Sequence, residues 1–231
     1  MESMRIKVIK GGPYHVSGAV PLDEKIVRPQ GQGYVWEDGR ELEQKSDYYL
    51  CRCGHSSSAP FCDGTHKKRG FVGAETASTD TFDQRAETIE GKSLTVRDDK
   101  RCAFVRFCHA ENAQGERENI WSILAKGDVA SDGTVRELAS ACPAGRLNVQ
   151  SESGELLEPE LKPGITVVQD PEQAVSAGLY VHGYIPLESA DGEEYELRNR
   201  YMLCRCGLSR EKPICDATHV PAAFDDGHIE K

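Results

Sequence analysis

No stretch of the 231-residue chain approaches the roughly 20 apolar residues of a membrane-crossing helix, and 29% of its residues are charged. A helical membrane protein is excluded on that ground. The opening segment, MESMRIKVIKGGPYHV, has no apolar core of the kind a secretory leader carries, so the cytoplasm is the expected compartment. Clustered basic charge is missing too. Net charge is −10, and Lys67-Lys68-Arg69 is the only short basic run, which reads as a solvated turn. A nucleic-acid surface, which needs grouped Lys and Arg, is not expected. An acidic chain can still meet a basic partner quickly, because complementary charge speeds encounter. No Gly-rich nucleotide fingerprint is present, and no Ser/His/Asp arrangement follows from residue order, so catalysis is not expected.

Cysteine, by contrast, is abundant: nine residues, at 51, 53 and 62, at 102, 108 and 142, and at 204, 206 and 215. In a reducing compartment such thiols bind metal or do chemistry more often than they pair, and an odd count fits disulfides poorly. The two outer groups of three belong to an internal repeat. EDGRELEQKSDYYLCRCG, ending at Gly54, aligns without gaps on ADGEEYELRNRYMLCRCG, ending at Gly207, at an offset of 153. Upstream, Gly18-Ala19-Val20-Pro21-Leu22 echoes Gly183-Tyr184-Ile185-Pro186-Leu187 at an offset of 165. The first copy therefore holds about twelve extra residues between Leu22 and Asp38, a Gly- and Gln-rich stretch that reads as a loop. Each copy reads as short strands, Tyr14 to Val20 and Leu179 to Ile185, leading into a cysteine loop, with Asp38-Gly39 and Asp191-Gly192 as hairpin turns. Two copies are too few for a solenoid and point to a pseudo-symmetric pair.

The third group lies in a different unit. Its pattern predicts a strand at Leu94-Thr95-Val96-Arg97 and a helix over Asn119 to Lys126, with Ile120, Ile123 and Leu124 on one face. A second helix, Thr134 to Cys142, places Val135, Leu138, Ala139 and Cys142 at helical spacing; Pro143 stops it and Arg146 to Val149 forms a closing strand. Residues 71–92, rich in Ala, Thr, Asp and Glu, read as a linker. The expected organisation is a first β-rich half over 1–70, that linker, a middle domain over 93–158 and a second half over 159–231.

Both outer clusters, CRCGHSSSAPFCDGTH at 51–66 and CRCGLSREKPICDATH at 204–219, fit C-x-C-x2-S-x3-P-x-C-D-(G/A)-T-H. Cysteines two apart close a low-strain disulfide poorly, but they can share one soft metal ion. One turn of helix would bring the third Cys and the His onto a second ion. Asp63 and Asp216 are placed to cap free amides at a helix start, and the Asp-Gly-Thr turn of the first copy lets the chain approach an inorganic core. A structural Cys3His zinc site uses the same donors, although its first pair is usually spaced by roughly two to four residues. On ligand chemistry alone, zinc and paired iron both stay open.

Beyond the donors, both segments resemble the CDGSH iron–sulfur motif of the mitoNEET-type family, C-x-C-x2-(S/T)-x3-P-x-C-D-G-(S/A/T)-H. Residues 51–66 meet every position, Ser56, Pro60, Asp63 and Gly64 included; residues 204–219 depart only at Ala217, which puts the turn geometry there in question. The resemblance implies a 2Fe–2S cluster in each copy, with the inner iron on Cys51 and Cys53 and the outer on Cys62 and His66. In the second copy it implies Cys204 and Cys206, then Cys215 and His219. Single-motif members of the family act as homodimers, so the resemblance implies an intrachain pseudo-dimer and a monomeric protein. Exchanging one thiolate for imidazole should raise the potential above that of an all-Cys cluster. Acid should loosen the outer iron, because a protonated His cannot bind it.

Cys102-Ala-Phe-Val-Arg-Phe-Cys108 with the remote Cys142-Pro143 lies close to the bacterial ferredoxin run C-x2-C-x2-C and distant C-P, with Val105 in place of the central Cys. It resembles single-cluster 3Fe–4S ferredoxins and the divergent mono-cluster ferredoxin domain. That likeness implies a 3Fe–4S cluster on Cys102, Cys108 and Cys142, or a 4Fe–4S cluster if His109, another side chain or solvent takes the fourth position. The plainer reading is three buried thiols in a small helical core. His15, His55, His182 and His228 lack ligand-spaced partners, and Trp36 and Trp121 read as packing residues.

The sequence thus leads to an α+β iron–sulfur protein with two CDGSH halves flanking a ferredoxin-like insert. It would carry electrons to an unidentified redox partner, with neither nucleic acid nor membrane involved. Two other readings are a carrier that donates 2Fe–2S units to apo-protein acceptors and a structural zinc module used for interaction.

Overall fold

The computed structural model describes residues 3–151 and 153–230, a mixed α+β chain made mostly of sheets with few helices. Among the described residues no helix is long and apolar enough to cross a membrane.

Each repeat builds its cysteine loop from the same pair of strands. In the first, β2 (Tyr14–Ser17) runs antiparallel to β5 (Asp47–Leu50), with Tyr14 opposite Leu50 and Val16 opposite Tyr48. In the second, β13 (Val175–His182) runs antiparallel to β15 (Arg200–Leu203), with Leu179 opposite Leu203 and Val181 opposite Tyr201. The sequence offsets of 165 and 153 carry the first set of pairs onto the second, so the two copies share one register. Each copy also lends a strand to the other. β1 (Arg5–Val8) pairs with β2 and lies parallel to β14 (Leu187–Glu188) of the second copy, Ile6 beside Leu187. β12 (Gly164–Asp170) pairs with β13 and lies parallel to β3 (Leu22–Gln30) of the first copy, Ile165 beside Leu22.

Alternation explains which face is covered. In β1 and β5 every second residue is buried, the period expected of a strand with one face on a core. β12 is buried along its whole length, as befits a strand with β13 on one side and β3 on the other. Ile6, Val16, Leu50, Ile165, Val167, Leu179 and Leu203 meet in one core that draws on both copies. Burial of each such side chain stabilises by about 1.5–3 kcal/mol.

The extra residues of the first copy are not a loop. They form the end of β3 and β4 (Gly33–Asp38), an antiparallel hairpin whose turn falls at Gln30–Gly33. Asp38-Gly39 therefore ends a strand instead of turning a hairpin, whereas Gly192 does sit in a tight turn, its amide bonded to the Ser189 carbonyl. Pro29 is accommodated because pairing with β12 stops at Ile26.

The middle unit is a four-stranded sheet with helices packed on it. Its strands are β6 (Glu87–Glu90), β7 (Thr95–Asp98), β10 (Leu147–Gln150) and β11 (Leu156–Leu157). A ribbon of β8 (His109–Glu111) and β9 (Arg117–Asn119) precedes the helices. α1 (Thr65–Lys68) and α2 (Phe82–Arg85) are single turns in earlier segments. α3 (Ile120–Leu124) starts where the Asn119 side chain accepts from the amides of Trp121 and Ser122. α4 (Val129–Ala141) starts five residues before the expected Thr134, because Asp128 caps it through the Ser131 amide. Ile120, Ile123 and Leu124 of α3 and Val135 and Ala139 of α4 close over Val96, Leu147 and Val149. The segment read as a linker is structured at its end: α2 buries Phe82, and β6 is the edge strand of this sheet.

Candidate metal centres

Both outer sites hang from the strand before them. Cys51 follows β5 and Cys204 follows β15; each amide donates to the carbonyl of the motif proline, Pro60 or Pro213, at 2.8 Å. The third cysteine folds back on the same strand, Cys62 N to Tyr49 O at 2.8 Å and Cys215 N to Met202 O at 2.9 Å. Ser56 and Ser209 close the loops through the carbonyls of Phe61 and Ile214 at 2.5 and 2.7 Å. Asp63 accepts from the amides of Ser57 and Thr65, and these bonds hold its carboxyl far below the usual range. Asp216 makes the matching bonds to Arg210 and Thr218. Ala217 adopts the left-handed turn that Gly64 adopts, at φ +66° against +84°, so the alanine does not change the course of the chain.

The donors come in twos. Cys51 Sγ lies 3.7 Å from Cys53 Sγ, and Cys62 Sγ lies 3.3 Å from His66 Nδ1. In the second copy the separations are 3.6 Å for Cys204 and Cys206 and 3.5 Å for Cys215 and His219 Nδ1. Two donors on one tetrahedral ion, at metal–sulfur and metal–nitrogen lengths of about 2.3 and 2.0–2.1 Å, stand about 3.8 Å (S···S) or about 3.5 Å (S···N) apart. Each pair therefore fits one ion. Among the described residues no three His, Cys, Asp or Glu side chains converge on a single-ion position.

Cys204 is lowered to about 6 by its hydrogen bond with Cys206, and the other shifted thiols of the outer sites are raised. Burial, then the Cys51 charge, pushes the Cys53 thiol up to about 11. Cys206 is pushed up by Cys204 and then by burial, and Cys215 by burial and then by Cys204. Close buried thiolates need a cation beside them, and a metal supplies it. The second site is the more enclosed: His219 is 2% exposed and Cys215 is buried, while His66 is 9% exposed and Cys62 only half-buried. Burial, with Arg205 next, holds the His219 imidazole down to about 4.

The inner loops of the two sites press against each other reciprocally. A Cβ on Gly54 would stand 2.3 Å from the Cys206 carbonyl oxygen, and one on Gly207 would stand 2.6 Å from that of Cys53. Tyr14 of the first copy donates to the Cys204 carbonyl at 2.7 Å, so one half positions the other's ligand loop. Two arginines not singled out in the sequence, Arg52 and Arg205, are buried between the paired cysteines of each CRC. Their recurrence at the offset of 153 was the available signal.

Cys102, Cys108 and Cys142 come together around one cavity of about 30 Å³, closed by Val105, Phe107 and Pro143. Burial, followed by the charges of Cys142 and Cys102, pushes Cys108 up to about 11. Phe104 and Arg106 are left-handed, and the Phe104 amide points at Cys102 Sγ at 3.3 Å. Such alternation turns backbone N–H groups toward an anionic centre. His109 Nδ1 lies 3.6 Å from Cys108 Sγ and 3.1 Å from the Arg106 carbonyl oxygen. Arg200, fully buried, donates to the carbonyls of Cys142, Ala139 and Leu147, and so ties β15 of the second copy to the end of α4. Trp36 and Tyr34 of the unexpected hairpin pack on Phe107, with Trp36 stacked at 4.5 Å. Cys102 and Cys215 share the wall of a second cavity, of about 330 Å³, with Phe104 and Ala217.

Of the remaining histidines, His15 pairs with Asp47 at 2.5 Å, and His182 Nδ1 donates to the Lys162 carbonyl at 2.6 Å. Neither approaches a cysteine cluster. No curated protein and no solved structure matches the chain. A family model does: residues 11–67 and 177–220, on either side of the unit that holds the central cysteine triad, each match the family described as iron-binding zinc finger, CDGSH type.

Proposed function

We propose that the chain is an electron-carrying iron–sulfur protein with a 2Fe–2S cluster at each CDGSH site and a 3Fe–4S or 4Fe–4S cluster on the central triad. The observation that carries the proposal is the grouping of the donors. At each outer site they form two pairs, each with the bite of one tetrahedral ion, which suits two bridged irons better than one zinc. Cys51 and Cys53, Cys204 and Cys206 would hold the inner irons; Cys62 and His66, Cys215 and His219 the outer ones. Bound there, such clusters accept and return one electron at a time. The exchanged strands and the reciprocal glycine contacts support a pseudo-dimer within one chain, hence a monomer.

The central cysteines support a cluster by lining one cavity, with the Phe104 amide aimed at Cys102 sulfur. Their neighbour is the second CDGSH site, since Cys102 and Cys215 face one cavity. That shared cavity supports electron exchange between the triad and the second site.

Anaerobically purified protein should contain about seven or eight irons per chain and no stoichiometric zinc. Four irons would remove the triad cluster from the proposal, and zinc in place of iron would overturn it. One observation favours donation of clusters as a second activity: Cys62 and His66 leave the outer pair of the first site more open than that of the second. Incubation with an apo-ferredoxin tests this. Transfer should empty the first site, and a failure to transfer any cluster excludes the activity.

A further inference from the structure

Arg85, Arg101 and Arg198 line one cavity of about 30 Å³, where the segment before α2, the triad unit and the second copy meet. Buried Leu187, Tyr201 and Ile214 form its apolar side, and exposed Ser78, Thr79 and Asp80 form its rim. The three guanidiniums differ in how they are neutralised. Arg85 Nη2 donates to Asp99 Oδ2 at 3.1 Å, and the same nitrogen stands 3.7 Å from Glu196. Arg198 stands 3.8 Å from Glu158 and 4.0 Å from Glu196, and Glu158 is shared with Arg200. Arg101 has no carboxylate within 4.0 Å among the described residues, and its Nη2 donates to the Ser78 carbonyl at 2.7 Å. Asp80, the remaining acid of the wall, accepts from Ser78 Oγ at 2.7 Å. Burial, with the Arg85 charge next, holds the Arg101 guanidinium below its usual range, as expected of a cation short of negative charge. Arg85 Nε is buried and has no acceptor among the described residues, although a buried donor left unpaired is costly.

We propose that this cavity binds one small monovalent anion of halide size, held by Arg101 and by the unpartnered Nε of Arg85. Two needs coincide there: a positive charge without a counter-charge, and a buried N–H without an acceptor. Water meets the second need alone, whereas an anion meets both. Size narrows the class. One water needs about 10–15 Å³ of such a cavity, so about 30 Å³ admits a single halide and is too small for phosphate. Hydration narrows it further. A guanidinium is itself weakly hydrated, and Leu187, Tyr201 and Ile214 offer no replacement for a tightly held water shell. A weakly hydrated ion such as bromide is therefore favoured over fluoride. Entry is open through the exposed rim, and Ser78, Arg85 and Arg101 also wall the larger cavity beside Cys102 and Cys215. The bound ion would tie the segment before α2 to the triad unit and to the second copy. None of this depends on which metal the cysteines hold.

Thermal melting of the metal-loaded full chain tests the site, with bromide replacing gluconate at constant ionic strength. The melting temperature should rise along a saturating curve, because a ligand of the folded state stabilises by mass action. Fluoride should give a smaller rise, and Arg101→Met should abolish the bromide effect. A melting temperature equal in bromide and gluconate, equal rises in fluoride and bromide, or a rise that persists in Arg101→Met would overturn the proposal. Should Arg101→Met fail to fold, crystals of the unaltered protein soaked in bromide decide the matter. An anomalous-scattering peak beside Arg85 and Arg101 is expected, and a cavity without one refutes the site.

Discussion

The two halves of the repeat share strand register, proline-bonded cysteine loops and an aspartate on matching amides, yet they stand in different surroundings. The second is packed on three sides: the segment before α2 donates from Thr76 and Ala77 to the Lys212 carbonyl, Tyr14 holds the Cys204 loop, and the triad unit lies against Cys215. The first keeps its outer pair nearer water. Duplication thus supplies two equal ligand sets, and asymmetric packing makes them unequal. Solvent access, not donor type, carries the difference.

Removal of one ligand from each half should break the comparison most strongly. Cys215→Ser should release the second site's iron and destabilise the loaded chain by about 5 kcal/mol, since it strips the metal from a buried site that the fold is packed around. Thermal melting should fall by roughly 10–20 °C for a chain of this length. Cys62→Ser, at the more open site, should cost about half as much. Equal losses, or no loss, would mean that enclosure does not distinguish the halves.

Arg200→Leu comes next. It leaves Glu158 and three carbonyls without their buried donor and should cost about 4 kcal/mol. On the three-cluster proposal, its absorption spectrum should lose the triad's contribution and keep the bands of both outer sites, because Arg200 bonds to the Cys142 carbonyl and to neither outer ligand pair. Gly54→Ala should cost about 3 kcal/mol in urea denaturation, and Gly207→Ala somewhat less, since the first would crowd a carbonyl at 2.3 Å and the second at 2.6 Å. Nearly neutral substitutions would show that the reciprocal contact relaxes without strain. The smallest effect is at the turn where the copies differ in residue but not in conformation. Ala217→Gly should stabilise by about 1 kcal/mol and Gly64→Ala should destabilise by a similar amount, because both positions are left-handed. Denaturation midpoints moving in the same direction would contradict that account.

Much of the outer sites was readable from the chain. Spacing of Cys51, Cys53, Cys62 and His66 is set by local loop closure through Pro60 and Ser56, and its recurrence at 204–219 made accident an untenable explanation. Helices α3 and α4 were visible through their apolar spacing, although caps at Asn119 and Asp128 moved their starts. The β3–β4 hairpin was hidden because Pro29, Gly31 and Gly33 carry loop signals, while Tyr34 and Trp36 owe their strand to packing on Phe107. The strands exchanged between copies were hidden as well, since parallel pairing across more than a hundred residues leaves no periodic trace. Arg52 and Arg205 look like surface charges in a sequence. They are buried because carbonyls and one carboxylate from distant segments satisfy them.

By itself the sequence determined the donors, their number and the local loops that pair them, because bond geometry over a few residues suffices for that. Tertiary structure decided which sites adjoin and how far each is withdrawn from water. Those properties depend on contacts between residues remote in the chain. Gly73 and Asp226 hold the same place in the repeat, and only the fold brings a carbonyl to Arg52 there and a carboxylate to Arg205.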